Sequence, residues 1–167
     1  MSEAGTGENA VARDVDYMRR ALELASLAEA AGEVPVGALV VSADGRIVGE
    51  GWNQVTSSND PTAHAEIIAI RHAALAVGAF SLANSTIYAS CEPCPMCLAA
   101  IYWARLDRLV FASTRIEAAA IGFDDDMIYR EIAKPPEARR LASAHLPLTE
   151  ARSVFDDWLR NSNRIQY

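Results

Sequence analysis

His64-Ala65-Glu66, followed 27 residues later by Pro93-Cys94-Pro95-Met96-Cys97, is the stretch on which the fold reading turns. It brings one imidazole, two thiols and a carboxylate into a short span of chain. His64, Cys94 and Cys97 make a ligand set for zinc (Zn2+), and three protein ligands leave one coordination position for water. A structural zinc site is instead closed by four Cys or His ligands. In the open arrangement the metal lowers the pKa of its water to about 7. Glu66, two residues past the imidazole, is not needed as a ligand and is free to act as the catalytic proton carrier between that water and a substrate.

The spacing agrees with this chemistry. Cys94 and Cys97 are three residues apart, so on a helix they share a face. Pro95 suits a first helical turn, where no backbone donor is lost. The dipole at such a helix start favours thiolate, the form that zinc requires. His64 follows the turn signal Asp60-Pro61-Thr62-Ala63 and leads into Ile67, Ile68, Ile70, Ala74 and Leu75, which places it on the opening turn of another helix. Other readings compete. An isolated Cys-x-x-Cys pair also serves redox chemistry. Cys91 extends the pair to a run like the start of an iron–sulfur ligand set, without the fourth cysteine, and it could instead close a four-ligand zinc site. The coincidence of several parts of one motif favours the open zinc site and leaves Cys91 as a small buried residue ending a strand.

The 167 residues suffice for one domain with a real core, expected over residues 14–167, behind a small polar N-terminal tail at residues 1–13 that is expected to be disordered. Three cysteines argue against a disulfide framework and for the cytoplasm. No stretch approaches the ~18 to 20 apolar residues of a membrane span, and the first residues hold no apolar signal region. The net charge of −7, with Arg19-Arg20 and Arg139-Arg140 as the nearest things to a basic cluster, points away from nucleic acid and toward a small free substrate.

Periodicity predicts a first helix over residues 14–31, with Val15, Met18, Leu22, Ala25 and Leu27 or Ala28 on its apolar stripe and Gly32 at its stop. Strands over 36–42 and 46–51 flank Asp44-Gly45, a hairpin signal. The His64 helix ends near Gly78, a strand over 86–90 delivers the cysteine turn, and the next helix carries Cys97, Ala100, Ile101 and Ala104. Further strands are expected at 109–112 and 141–146, with a helical crossover around 127–132 between them. A last helix opens at Thr149 with Ala151, Val154, Phe155, Trp158 and Leu159 at helical spacing. Alternating helices and strands imply an α/β fold of three α/β/α layers around a mixed sheet of about five strands. Trp103 and Trp158 are expected in the core.

Beyond the metal motif, residues 53–66, Ser90-Cys91-Glu92 ahead of Pro93, Ala120-Ile121-Gly122-Phe123-Asp124-Asp125, Ile128-Tyr129, Lys134-Pro135 and the terminal Tyr167 resemble the bacterial guanine deaminases of the cytidine-deaminase-like zinc deaminase superfamily. The resemblance covers nearly everything after the first dozen residues. It implies the cytidine-deaminase-like fold and hydrolysis of guanine to xanthine and ammonia. It also implies a pocket in which Asn53 bonds the ring, the backbone N–H of Ala65 faces it, Asp125 accepts from the guanine edge and Tyr167 closes the site. In the family that tyrosine arrives on a C-terminal segment exchanged between the subunits of a homodimer. Guanine offers N1–H and N2–H donors, which suit a carboxylate acceptor. Taken alone, Asn53 also reads as a turn residue, Asp124-Asp125-Asp126 as a solvated acidic loop and Tyr167 as a frayed end.

One stretch departs from that pattern. Glu33-Val34-Pro35-Val36-Gly37-Ala38 is similar to bacterial tRNA adenosine deaminases, whereas guanine deaminases commonly carry an aromatic where Val36 stands. A roomier pocket would admit another aminopurine or guanosine. The remaining alternatives are tRNA adenosine deamination and a non-catalytic zinc-stabilised interaction module with Cys91 as fourth ligand.

Overall fold

The computed structural model describes residues 4–166, with side chains from residue 11 onward. It comprises two compact units, Met1–Asp126 and Met127–Tyr167. In the first, a long helix α1 (Ala4–Ala30) precedes a hairpin of β1 (Gly37–Val41) and β2 (Ile47–Trp52). A one-turn helix α2 (Val55–Ser58) leads to α3 (Ala65–Val77), then β3 (Thr86–Cys91), α4 (Pro95–Trp103), β4 (Arg108–Ser113) and α5 (Arg115–Ala120). Among the described residues the sheet has four strands in the order β2-β1-β3-β4. β1 runs antiparallel to both β2 and β3, whereas β3 and β4 are parallel. The α4 crossover allows that parallel pair, since parallel strands cannot be joined by a tight turn.

Every residue of β1 is buried, because the sheet is covered on both faces. Ala38 and Val40 pack with Ile87, Ala89 and the α3 residues Ala65, Ala69 and Ala73. Leu39, Val41 and Tyr88 point to the other side, against Ala21 and Leu24 of α1. The expected three layers result. Small residues set how closely they approach. A Cβ on Gly51 would lie 2.4 Å from the Ala65 carbonyl oxygen, and one on Gly49 would lie 2.3 Å from that of Ala69. Only glycine lets α3 rest on β2 at this distance.

The second unit contains α6 (Asp126–Ile132), which begins one residue ahead of it, a 3-10 turn at Pro136–Ala138, and α7 (Thr149–Arg160). Glu131 ties its chain by accepting from Lys134 Nζ and from the Arg140 backbone N–H, both at 2.5 Å.

Several expectations need correction. α1 begins at Ala4 rather than near Asp14, since Glu8 to Arg13 contains no breaker and favours helix through Ala10 and Ala12. Its buried stripe is Ala21, Leu24, Ala25 and Ala28, not Val15 and Leu22, because small side chains let the helix lie close on the sheet. Residues 141–146 form no strand: Leu141 and Leu146 are exposed, the residues between are mostly small, and Pro147 cannot donate to a ladder. Trp103 is 63% and Trp158 45% exposed. Trp103 falls off the buried stripe of its helix, which runs through Cys97, Ile101 and Ala104. No helix among the described residues is long and apolar enough to cross a membrane.

Gly51→Ala should push α3 away from β2 and cost about 1–3 kcal/mol of unfolding free energy, as overpacking of a tight contact does. Denaturant unfolding of the two proteins measures it, and an unchanged midpoint would show that the helix does not depend on this contact.

Candidate metal centre and adjoining pocket

Two helix starts meet at this site. Asp60 Oδ1 accepts from the N–H and hydroxyl of Thr62 at 2.8 and 2.7 Å, closing the turn that ends at His64. His64 is then the N-cap of α3, in extended backbone. Cys94 is likewise the N-cap of α4, with Pro95 in the first turn, and its Sγ accepts from the Cys97 N–H at 3.5 Å. His64 Nδ1 lies 3.5 Å from Cys94 Sγ and 3.5 Å from Cys97 Sγ. Tetrahedral zinc bonded to nitrogen at 2.0–2.1 Å and to sulfur at 2.3 Å would hold those atoms about 3.6 Å apart. The three donors therefore fit a zinc ion. Cys91 stands outside the group: β3 ends on it, and burial pushes its thiol up to about 11.

The protons of the cluster are unequally held. Cys94 is brought down to about 4, chiefly by the Cys97 thiol beside it and then by His64. Cys97 is pushed upward by Cys94 and by its own burial. The Cys94 hydrogen bond raises the pKa of His64. A dication held by these residues would displace their protons and bind both sulfurs as thiolates.

Glu66 sits in the first turn of α3, 3% exposed, and its Oε2 is buried without a hydrogen-bond partner. Burial raises its pKa. A buried carboxylate oxygen without a partner is costly and marks a place where a proton, water or ligand belongs. The Ala65 N–H, also at the helix start, has no intrahelical acceptor.

Asn53 follows β2 directly, is buried, and lines a small cavity with His64, Glu66, Val36 and Phe123. Its backbone N–H donates to the Val36 carbonyl at 3.0 Å, and its Nδ2 to Glu33 Oε2 at 3.1 Å. Asp125 is half-buried in the loop after Gly122. Burial and the Cys94 charge raise its pKa, but it does not line the cavity. Tyr167 lies outside the described residues.

Two residues of the site were not anticipated. The Phe123 ring stands 5.9 Å from the His64 ring, tilted by 54°. Glu33 is the buried acid that holds Asn53. A lone charge set between Gly32 and the apolar Val34-Pro35-Val36 was the available signal for the second, and for the first it was only its place in the Gly122-Phe123-Asp124-Asp125 segment that carries the resemblance. The cavity encloses about 10 Å³, whereas a neighbouring apolar one of about 240 Å³ shares Val36, Cys91 and Phe123 with it.

The sequence profile of the cytidine and deoxycytidylate deaminase zinc-binding region matches residues 11–113. Guanine deaminase from Bacillus subtilis (strain 168) is 48% identical over 152 residues, covering 90% of this chain and 97% of that protein. Its X-ray structure superposes with a TM-score of 0.88 over 91% of this chain and 97% of that one. Guanine deaminase from Nitrosomonas europaea superposes with a TM-score of 0.62 at 32% identity, over 65% of this chain and 63% of that one. The tRNA-specific adenosine deaminase of Haemophilus influenzae is 50% identical over 117 residues, covering 67% of this chain and 68% of that protein. The matched span takes in His64, Glu66, Cys94, Cys97 and the whole four-stranded sheet that carries them, and the chain belongs to the cytidine and deoxycytidylate deaminase zinc-binding family.

Proposed function

We propose that this protein hydrolyses guanine to xanthine and ammonia. The observation that carries the reading is the buried, unpartnered Oε2 of Glu66 beside a cluster of three donors rather than four. His64, Cys94 and Cys97 would hold zinc, which would supply Lewis-acid activation of a water near neutral pH. Glu66 would take one proton from the attacking water and deliver it to the ring nitrogen next to the reacting carbon, then take the second from the hydroxyl now on that carbon and pass it to the amine, which leaves as ammonia while the carbonyl forms. Asn53, the Ala65 N–H and Asp125 hold the base, with Asp125 accepting from the guanine N–H edge. A purine is too large for the enclosed 10 Å³. The neighbouring 240 Å³ cavity, which shares Val36, Cys91 and Phe123 with it, is the adjoining space for the base.

Tyr167 belongs to the same proposal, as the residue closing the pocket of a homodimer through an exchanged C-terminal segment. The three cysteines are unpaired, as in a protein of the cytoplasm. A second reading, adenosine deamination in tRNA, draws support from the Haemophilus influenzae relative and from Glu33-Val34-Pro35-Val36. Two observations favour guanine over it. The net charge is −7 without a basic cluster for a phosphate backbone, and the chain superposes on the Bacillus subtilis guanine deaminase with a TM-score of 0.88 over 91% of its length, against 0.58 over 60% on a tRNA:A34 deaminase.

Zinc-loaded protein offered guanine, guanosine, adenine, cytosine and a tRNA anticodon stem should release ammonia from guanine, and Glu66→Gln should retain its zinc while losing at least about 100-fold in rate. Ammonia from the anticodon stem alone would replace guanine with the tRNA reading, and near-normal turnover by the variant would remove Glu66 from proton transfer. Deleting residues 165–167 should lower guanine turnover by about 10- to 100-fold at an unchanged unfolding midpoint. Unaltered kinetics would take Tyr167 out of the pocket.

A further inference from the structure

We propose that Glu33 is a positioning residue that decides which end of the Asn53 amide faces the base, making that wall of the pocket an acceptor for substrate N–H groups. The inference rests on the reading of the site as a purine pocket.

The two ends of an asparagine amide are nearly identical in shape and opposite in hydrogen-bonding sense, so a partner must choose between them. Glu33 makes that choice. It follows the turn that ends α1, at Gly32 (φ +78), and is 6% exposed. Its Oε1 accepts from the Ser57 N–H at 2.6 Å, and its Oε2 from the Thr56 N–H at 3.2 Å and from Asn53 Nδ2 at 3.1 Å. Burial alone would raise its pKa, but the Ser57 and Thr56 donors outweigh burial and hold the carboxyl at about 2. Glu33 is thus an ionised carboxylate at any physiological pH, and a carboxylate only accepts. The reversed amide would set two oxygens against each other with no proton between them.

The amide's NH2 is therefore spent on Glu33, and Oδ1 is the atom left for the cavity, where no other described residue donates to it. A base edge carrying N–H meets an acceptor there, and an edge carrying only a lone pair meets repulsion. An acceptor on this wall suits the pocket to a donor-rich base such as guanine. Glu33 need not touch the substrate to impose this selection.

The test is a polarity swap in the zinc-loaded full chain. In Glu33→Gln, the introduced amide can donate to Asn53, which then turns its NH2 to the cavity; kcat/KM for guanine should fall about tenfold or more, mainly through KM. Asn53→Asp should lose at least as much, by setting a second carboxylate against Glu33. In the double variant, the glutamine at 33 donates to one oxygen of the aspartate at 53 and the other faces the cavity as an acceptor, so kcat/KM should recover about tenfold over Glu33→Gln. A merely structural role predicts no recovery, because the double variant keeps the same loss of backbone acceptors at 33.

A substrate-independent readout separates this proposal from the functional reading. The side-chain NH2 resonances of 15N-labelled Asn53 should shift between wild type and Glu33→Gln. If wild type releases no ammonia from guanine, the functional reading fails, and the swap is judged on these resonances and on whichever base is turned over. Absence of recovery in the double variant, or unmoved Asn53 resonances in Glu33→Gln, would overturn the role of Glu33.

Discussion

Gly49 and Gly51 let Ala65, Ala69 and Ala73 of α3 lie directly on β2, and that contact sets how closely the helix is held to the sheet. The helix start falls at His64, opposite the point where β3 ends and α4 starts at Cys94. Each metal-binding element is therefore a helix cap whose backbone is fixed by the sheet rather than by the metal. Loops could not hold His64 Nδ1 at 3.5 Å from both sulfurs as reliably, because side chains on rigid elements lose little freedom when they converge.

The site contains two buried glutamates with opposite fates. Glu33 has its oxygens filled by two backbone N–H groups and an amide, so it stays ionised and serves as a fixed anchor. Glu66 keeps one oxygen without a partner, and burial makes its proton easier to hold. Environment alone separates two identical side chains, one proposed as scaffold and one proposed as proton carrier.

Much of this was legible in the chain. Pro95 after Cys94 and the Asp60-Pro61 turn before His64 mark helix starts by local rules, and Gly78 ends α3 in the left-handed conformation expected of it. Other features depend on partners far away in sequence. Glu33 and Asn53 are 20 residues apart and become neighbours only when the β hairpin folds. Phe123 meets His64 through a loop with no periodicity to read. At residues 141–146, apolar ends around small residues imitate a strand, but Pro147 and the exposure of both leucines leave that pattern without a partner. The apolar repeat of α7 predicts a helix correctly and says nothing of what covers it: Val154, Phe155 and Leu159 are exposed. Trp158 was misjudged for the same reason.

The most direct measurement is X-ray absorption at the zinc edge of the purified protein, with metal content determined alongside. One zinc per chain is predicted, with two sulfurs at about 2.3 Å and two nitrogen or oxygen neighbours at about 2.0–2.1 Å, one of them solvent. A shell containing a third sulfur would mean that Cys91 closes the site, and a fully active protein without metal would mean that the chemistry runs elsewhere.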